Sequence, residues 1–164
     1  MTKVLLIGAG LSTQKLVPYL KGLVQSHSIE LRVVDRDVSV ASARMGSIIQ
    51  RCSVGELDIT DSAALDAEIS SCSITISMVP AHMHLAVAKA CLKHGSHLIT
   101  ASYLTKEMEA LSQEAQQRGL VFLNECGLDP GIDHMSAMQL IEGIRDKGGK
   151  IKLFESFTGG LLSP

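Results

Sequence analysis

The chain has 164 residues and a formal net charge of −2 at pH 7, and 46% of its residues are hydrophobic while 3% are aromatic. This length suits one domain plus part of another, and the composition suits a packed core rather than a disordered chain. Because lysine and arginine are scattered singly and no apolar stretch approaches the roughly 18 residues of a membrane-spanning helix, we expect neither nucleic acid nor a membrane as a partner.

Short apolar runs alternate with helix-like segments over the first three quarters of the chain. Strands are predicted where apolar residues are contiguous, at 3–7, 31–34, 53–57, 74–79, 97–100 and 120–123. Helices are predicted where apolar residues recur every three to four positions, at 11–24, 39–50, 62–69, 83–94 and 105–118. This alternation with short connections predicts an α/β fold, a doubly wound parallel sheet with helices on both faces.

Local signals mark the ends of several helices. Asp61, or Thr60 before it, is a suitable N-cap for the helix at 62–69, because either side chain can accept a hydrogen bond from a free backbone N–H. Gly95 follows the helix at 83–94, where a left-handed residue commonly ends a helix. Pro18 lies inside the first predicted helix, so we expect a kink or a loosened first half there.

A glycine-rich turn joins the first strand to the first helix. Residues 8–13 read Gly-Ala-Gly-Leu-Ser-Thr. Gly8 would permit the tight turn, and Gly10 would let the backbone approach a pyrophosphate at the helix N-terminus. Thr13 departs from the dinucleotide-binding fingerprint, which has a third glycine at this position. In the first strand–helix turn of an alternating sheet, the motif favours a Rossmann-type dinucleotide-binding domain over a turn that only reverses the chain.

The end of the second strand bears on the choice of cofactor. Asp35 lies about 20 residues beyond the glycine turn, where an acid commonly bonds the ribose 2′-hydroxyl of NAD. Arg36 follows it and would instead favour the 2′-phosphate of NADP. The sequence therefore predicts NAD or NADP and leaves the choice between them open. A solvated charge run without a ligand is the alternative interpretation.

The alternation stops near residue 128, where we place a domain boundary. A dinucleotide-binding domain is expected at 1–128 and the start of a second, α+β substrate domain at 129–164, begun and not finished. A helix is predicted at 134–147, and the polar–apolar alternation of 150–157 predicts a half-buried strand of an antiparallel sheet. Asp129 and Pro130 suit the N-cap and first position of a helix, and Asp133 is a second candidate cap.

Four segments, in chain order, carry a resemblance to a known family: ISMVPAHMHLAVAKACL, TASYLT, NECGLDPGIDHM and ESFTGGL. They resemble the glutamate-forming saccharopine dehydrogenases, and the resemblance covers essentially the whole chain. It implies a nucleotide-binding α/β domain with an inserted substrate domain. It also implies oxidation of saccharopine by NAD(P)⁺ to an imine, which is hydrolysed to glutamate and 2-aminoadipate 6-semialdehyde. In biosynthesis the reaction runs the other way.

The resemblance implies a cofactor site built from several loops. Its residues are Gly8, Gly10, Leu11 and Ser12 for the diphosphate, Asp35 and Arg36 for the ribose, Asp58 and Ile59 near the adenine, Val79 and Pro80 beside the ribose and nicotinamide, and Ser102 for both cofactor and substrate. Relatives that use NADP typically carry a non-acidic residue at the position of Asp35. The family pattern therefore leaves the choice between NAD and NADP open as well.

Tyr103 and Asp129 are the candidate catalytic residues. Both follow predicted strands at the edge where open α/β sheets bind ligands, and the resemblance places them beside the substrate. A phenol and a carboxylate suit the proton transfers that guide water onto an imine. The alternatives are a packing role for Tyr103, a purely capping role for Asp129, and a structural rather than proton-carrying role for His134. Phe157 and Thr158 replace a tyrosine and a cysteine of many relatives, so no role of that thiol carries over.

No metal site is predicted. His82 and His84 are two positions apart and would not share a helix face, and no acid or cysteine lies near them in sequence to complete a ligand set. The four cysteines, which lack ligand spacing, are interpreted as reduced and mostly buried; they are Cys52, Cys72, Cys91 and Cys126. With no signal-peptide pattern, this predicts a cytoplasmic protein.

The leading hypothesis is thus a dehydrogenase portion that binds NAD or NADP, acts with a small amino-acid substrate and does not turn over by itself. One alternative is a relative acting on another secondary amine, such as a carboxynorspermidine or lysine dehydrogenase. Another is a non-catalytic NAD(P)-binding module. A homodimer is expected only because two-fold dimers are the commonest oligomers.

Overall fold

The computed structural model describes residues 1–157 and 159. Its centre is a six-stranded parallel sheet in the order β3-β2-β1-β4-β5-β6. The strands are β1 (Thr2–Ile7), β2 (Ile29–Asp35), β3 (Cys52–Glu56), β4 (Ile74–Ser77), β5 (His97–Thr100) and β6 (Phe122–Leu123). In the central strand, Ile7 lies opposite Val34 of β2 and Ser77 of β4. The six predicted strands and the doubly wound fold are confirmed.

Seven α-helices connect and follow these strands in the described part of the chain. They are α1 (Leu16–Ser26), α2 (Val38–Met45), α3 (Ser62–Ser70), α4 (His84–His94), α5 (Lys106–Glu109), α6 (Ser112–Gln117) and α7 (Ile132–Arg145). Short 3₁₀ turns at Leu11–Thr13 and Ala81–Met83 precede α1 and α4. No described helix has both the length and the apolar character needed to cross a membrane.

The first predicted helix begins late, as the proline suggested. Residues Leu11–Thr13 form a 3₁₀ turn and α1 starts only at Leu16. Pro18 therefore lies in the first turn of α1, where the N–H that proline lacks would have no partner within the helix. The predicted loosening of the first half of this segment is confirmed.

Two capping predictions are confirmed, and one predicted helix is divided. Asp61 accepts hydrogen bonds from the N–H groups of Ala63 and Ala64, and Gly95 ends α4 with φ of 76°. The single helix expected at 105–118 is two helices, because the N–H of Leu111 bonds to the carbonyl of Met108 only three residues back. Such a tight turn interrupts the α-helical pattern.

Each face of the sheet is covered by its own apolar layer. Alternate residues of β1 point to opposite faces, so Leu6 packs with side chains of α1 and α2, while Leu5 packs with side chains of α3 and α4. Both leucines are fully buried. This arrangement is what near-continuous apolar strands require, and it leaves the carboxyl ends of the strands as the exposed edge.

The end of the described chain differs from the expectation. The segment 151–157 forms no strand, and its Leu153 and Phe157 are exposed. Alternation alone does not make a strand, because a strand needs a neighbour to complete its hydrogen bonds, and no described strand lies beside this segment. None of the residues of α7 is buried. The predicted turn residue Thr158 lies outside the described residues.

The capping predictions for α7 are wrong. The helix begins at Ile132 and its N-cap is Gly131, with φ of 145°. Asp129 lies before this position, because the chain first closes a small loop in which the N–H of Gly127 bonds to the carbonyl of Pro130 at 2.8 Å. Asp133 falls inside the first turn, and its carboxylate accepts the N–H of Gly131 at 2.9 Å.

Candidate functional site

A cleft of about 370 Å³ opens where β1, β2 and β4 end. Eight predicted cofactor residues line it: Gly8, Gly10, Asp35, Arg36, Asp58, Ile59, Val79 and Pro80. Five further residues also line it and were not predicted: Ile7, Leu57, Thr60, Met78 and Met83. The carboxyl edge of a parallel sheet therefore brings most of the predicted set together, as the strand order requires.

Gly8 is required by both space and backbone conformation. Its φ is 92°, and a Cβ added there would lie 2.9 Å from the carbonyl oxygen of Met78. Its N–H bonds to the carbonyl of Val34 at 2.8 Å. Gly8 thus lets the chain turn sharply between β2 and β4 at the floor of the cleft.

Unlike Gly8, Gly10 has free space around its Cα atom. A Cβ at Gly10 would meet no protein atom within 4 Å, so this backbone is free for close approach by a ligand. The departure at Thr13 has a local explanation, because its buried hydroxyl donates to the carbonyl of Gly10 at 2.7 Å and closes the turn. A glycine-turn backbone left uncovered at the cleft fits a diphosphate.

Asp35 is bound to the glycine turn itself. One carboxylate oxygen accepts the N–H of Ala9 at 2.7 Å and the other accepts the N–H of Asp37 at 3.1 Å. A carboxylate oxygen can accept more than one hydrogen bond, so Asp35 can hold the turn and still accept a ribose hydroxyl. The acid at the end of β2 is therefore both a structural and a candidate ligand-binding group.

Arg36 and Asp58 face the same side of the cleft. Asp58 accepts both the N–H and the hydroxyl of Thr60, at 2.9 and 2.7 Å. The hydrogen bond from the backbone N–H of Thr60 has the largest effect and lowers the pKa of Asp58. The bond from the Thr60 hydroxyl and the positive charge of Arg36 lower this pKa further. Arg36 is exposed and lines the same cleft as the carboxylates of Asp35 and Asp58.

Three predicted cofactor residues do not line this cleft. Leu11 is 83% exposed and Ser12 is exposed beside it on the outer side of the glycine turn. Ser102 is half-buried beyond the end of β5. Their predicted contacts with a cofactor therefore remain predictions.

The two candidate catalytic residues are in contact. The hydroxyl of Tyr103 donates a hydrogen bond to a carboxylate oxygen of Asp129, although the two residues follow different strands. This bond to Asp129 raises the pKa of Tyr103, so the phenol stays protonated at neutral pH. Tyr103 is 58% exposed, which leaves the pair accessible to a small molecule.

Asp129 also lies close to two side chains in the first turn of α7, Asp133 and His134. Ligand atoms of Asp129, Asp133 and His134 lie within 4.8 Å of one another. Asp133 already accepts hydrogen bonds from the N–H of Gly131 and from Nδ1 of His134, at 2.9 and 2.8 Å. These bonds fix Asp133 beside His134, while Asp129 is held by its bond from Tyr103. The group therefore places a second carboxylate, that of Asp133, next to the candidate catalytic pair.

His84 makes two side-chain contacts that the sequence did not predict. Its Nδ1 lies 2.8 Å from the hydroxyl of Ser77, and its Nε2 lies 2.8 Å from the hydroxyl of Ser102. The imidazole is 4% exposed and connects the ends of β4 and β5. Burial lowers the pKa of His84, which keeps the ring neutral. The serine partners of His84 lie on other elements of the fold, so the sequence alone does not reveal them.

His84 and His134 should affect stability in opposite directions as the pH falls. The lowered pKa of His84 means that its contribution is present above the unfolded value of about 6.5 and is lost as the pH falls towards the folded value. The Asp133 carboxylate raises the pKa of His134, so that contribution is present below the unfolded value and is lost as the pH rises through the folded value.

We therefore expect His84→Gln to reduce the loss of stability on the acid side, and His134→Gln to increase it. Urea denaturation between about pH 5 and pH 8 measures the free energy of unfolding directly. The two variants serve as controls for each other because each removes one histidine. A change of the same sign in both would contradict the assignment.

The strand order, the glycine turn after β1 and the carboxylate at the end of β2 define a Rossmann-type dinucleotide-binding domain. The family model of the saccharopine dehydrogenase NADP binding domain matches residues 4–123, and that of the saccharopine dehydrogenase C-terminal domain matches residues 127–164. The chain belongs to the saccharopine dehydrogenase family.

Individual relatives agree with this assignment. The NADP(+), L-glutamate-forming saccharopine dehydrogenase of Schizosaccharomyces pombe is 38% identical over 164 residues, which is 100% of this chain and 36% of the relative. An alpha-aminoadipic semialdehyde synthase of Arabidopsis thaliana is 45% identical over 108 residues, 66% of this chain and 10% of the relative. The solved apo structure of the L-Glu-forming enzyme from Saccharomyces cerevisiae is 32% identical with a TM-score of 0.78, over 93% of this chain and 33% of that chain.

Proposed function

We propose that this chain supplies the NAD- or NADP-binding part of an oxidoreductase that interconverts saccharopine with L-glutamate and 2-aminoadipate 6-semialdehyde. The observation that carries the proposal is the open backbone of Gly10, which lies in one cleft with the carboxylate of Asp35. The names of the relatives support the reaction, and the chain spans 36% of the length of the Schizosaccharomyces pombe relative.

The proposed cofactor contacts follow the cleft from end to end. The turn at Gly8 and Gly10 binds the diphosphate, and Asp35 and Arg36 contact the ribose of the adenosine half. Ile59 and Asp58 flank the adenine, and Pro80 after Val79 lies beside the nicotinamide half. The contacts of Leu11, Ser12 and Ser102 are proposed from the family resemblance alone.

Tyr103 and Asp129 are proposed to manage protons on the substrate side. A bound nicotinamide cofactor supplies the hydride acceptor for a carbon beside a secondary amine. Asp129 is the proton acceptor for that amine or for the attacking water, since its carboxylate is a base and the phenol of Tyr103 remains protonated. The bond from Tyr103 orients the Asp129 carboxylate.

We also propose that the dinucleotide-binding domain ends near residue 128, and that residues 129–164 begin the substrate domain. The two family models, which adjoin between residues 123 and 127, support this division. The 164 residues then bind the cofactor without turning over the substrate. A cytoplasmic location and a homodimer remain predictions of the same proposal.

Titration of the chain with NADH and NADPH in a calorimeter tests cofactor binding. We expect binding by the parent chain and a loss of affinity of at least about tenfold in Gly10→Ala, because the added methyl group fills the space that the diphosphate needs. The φ of Gly10 is −64°, so the variant should fold with unchanged stability.

Gly22→Ala is the matched control, since it adds a methyl group that also meets no protein atom within 4 Å but lies in α1 away from the cleft. It should leave the affinity unchanged. Equal binding by Gly10→Ala and the parent chain, or no binding of either nucleotide by the folded parent chain, would overturn the proposed function.

A further inference from the structure

We propose that His84 is a positioning residue that fixes the direction of the Ser102 hydroxyl, so that Ser102 donates its proton to an oxygen atom of a bound ligand. The inference deepens the proposed function and rests on it for the identity of the ligand. The donor and acceptor directions of the hydrogen bonds among Ser77, His84 and Ser102 do not depend on any ligand.

The argument starts from Ser77, which is fully buried at the end of β4. Among the described residues, the only hydrogen-bond partner of its hydroxyl is Nδ1 of His84, at 2.8 Å. If Nδ1 carried a proton, Ser77 would have to accept it and its own O–H would have no acceptor. A buried donor without an acceptor is unfavourable, so Ser77 donates and Nδ1 accepts.

The tautomer of His84 follows from this bond. A neutral imidazole has one protonated and one unprotonated nitrogen, so the proton lies on Nε2. Nε2 then donates to the Ser102 hydroxyl oxygen at 2.8 Å. A second proton on the ring would oblige Nδ1 to donate and would break the bond from Ser77, which agrees with the burial of His84.

Within residues 1–157 and 159, the hydroxyl proton of Ser102 has no acceptor. Its backbone is already held on both sides, because its N–H donates to the hydroxyl of Thr100 at 3.2 Å and its carbonyl accepts the N–H of Glu125 at 3.1 Å. The side-chain oxygen accepts from His84, so the hydroxyl proton points away from the ring towards the accessible side of this half-buried residue. Ser102 is followed in the chain by Tyr103, the proposed substrate-side residue. The partner is an acceptor oxygen, either the carboxamide of the nicotinamide or a carboxylate of the substrate.

The first test reads the tautomer in the unliganded chain. Histidine labelled with ¹⁵N gives long-range ¹H–¹⁵N correlations that distinguish protonated from unprotonated ring nitrogens, and the loss of one signal set in His84→Gln assigns His84 among the six histidines. We expect Nε2 protonated and Nδ1 unprotonated. In Ser77→Ala, which removes the donor from a buried position with little change in volume, we expect a mixture of tautomers. A protonated Nδ1 in the parent chain, or an unchanged tautomer in Ser77→Ala, would overturn the proposal.

The second test finds the ligand. NADH is titrated into the parent chain, and glutamate is titrated into the chain saturated with NADH, each repeated with Ser102→Ala and Ser77→Ala. We expect Ser102→Ala to weaken one of the two ligands by about 2- to 13-fold, the range of one neutral hydrogen bond, and Ser77→Ala to weaken the same ligand less. A change in NADH affinity identifies the carboxamide, and a change in glutamate affinity alone identifies the carboxylate.

If Ser102→Ala changes neither affinity, the assignment of a ligand to Ser102 is wrong even when the tautomer is as expected. If the parent chain binds no nucleotide while His84 has the expected tautomer, the proposed function fails and the hydrogen-bond order of Ser77, His84 and Ser102 stands.

Discussion

Gly8→Ala should lower the free energy of unfolding by about 2–6 kcal/mol. A residue with a side chain is strained at the φ of 92° found here, and the new Cβ would lie 2.9 Å from the Met78 carbonyl oxygen. Backbone strain of about 1–3 kcal/mol adds to about 1–3 kcal/mol for forcing apart a packed region. Because small domains are stable by only about 5–15 kcal/mol, the variant should melt at a clearly lower temperature. Thermal and urea denaturation both measure the loss.

Gly22→Ala is the matched control, because it makes the same glycine-to-alanine change at a position with different surroundings. Gly22 lies in α1 with no protein atom near an added Cβ, so alanine there should stabilise the helix by about 0.5–1 kcal/mol. Opposite signs for the two substitutions are the expected result. If Gly8→Ala were as stable as the parent chain, the close approach of Gly8 to the backbone of Met78 would be wrong.

Asp35→Ser should raise the affinity for NADPH relative to NADH by about 10- to 100-fold, through the removal of a negative charge beside the 2′-phosphate. The carboxylate lines the cleft at the end of β2, where it accepts a ribose hydroxyl and repels a phosphate. The direction of this change does not depend on which nucleotide the parent chain prefers. Parallel titrations with the two nucleotides give the ratio.

Asp37→Ser removes the same charge two residues away and is the matched control. Asp37 caps α2 by accepting the N–H of Ser39 at 2.8 Å, and serine can cap in the same way. Asp37 is exposed and does not line the cleft. A similar change of the nucleotide ratio in both variants would show a general charge effect and would contradict a specific role for Asp35. Asp35→Ser also loses bonds to Ala9 and Asp37, so its stability must be measured as well.

The sheet could be predicted from the sequence because its signals are local. Each strand is a short apolar run next to a helix-like segment, and the acid and the glycines stand at strand ends where the chain must turn. Lys106–Glu109 and Ser112–Gln117 were taken as one helix because apolar spacing does not register a single tight turn. The strand expected at 150–157 does not form, because no described strand lies beside this segment to complete its hydrogen bonds. The alternation of polar and apolar residues does not reveal whether such a neighbour exists.

Site residues could be predicted where a single loop contains the recognisable motif. Contacts between loops that are distant in sequence could not be predicted. Asp35 and Gly10 are recognised by their place after a strand. His84 was considered only with His82, whereas its partners Ser77 and Ser102 belong to the ends of two other elements. Asp129 was paired with Tyr103 as a candidate catalytic residue, with capping of α7 as the alternative. The two side chains are hydrogen-bonded, whereas the loop between Gly127 and Gly131 separates Asp129 from the helix.

The central position of β1 in the sheet determines when the binding site can exist in a growing chain. During synthesis β1 emerges before β2 and β4. It can pair with β2 early, but its other edge stays open until β4 has been made. Met78, against which Gly8 packs, follows β4 directly. A nascent chain shorter than this has an exposed strand edge, which favours pairing with other chains. The cleft lined by residues at the ends of β1, β2 and β4 therefore cannot be complete before β4 has been made.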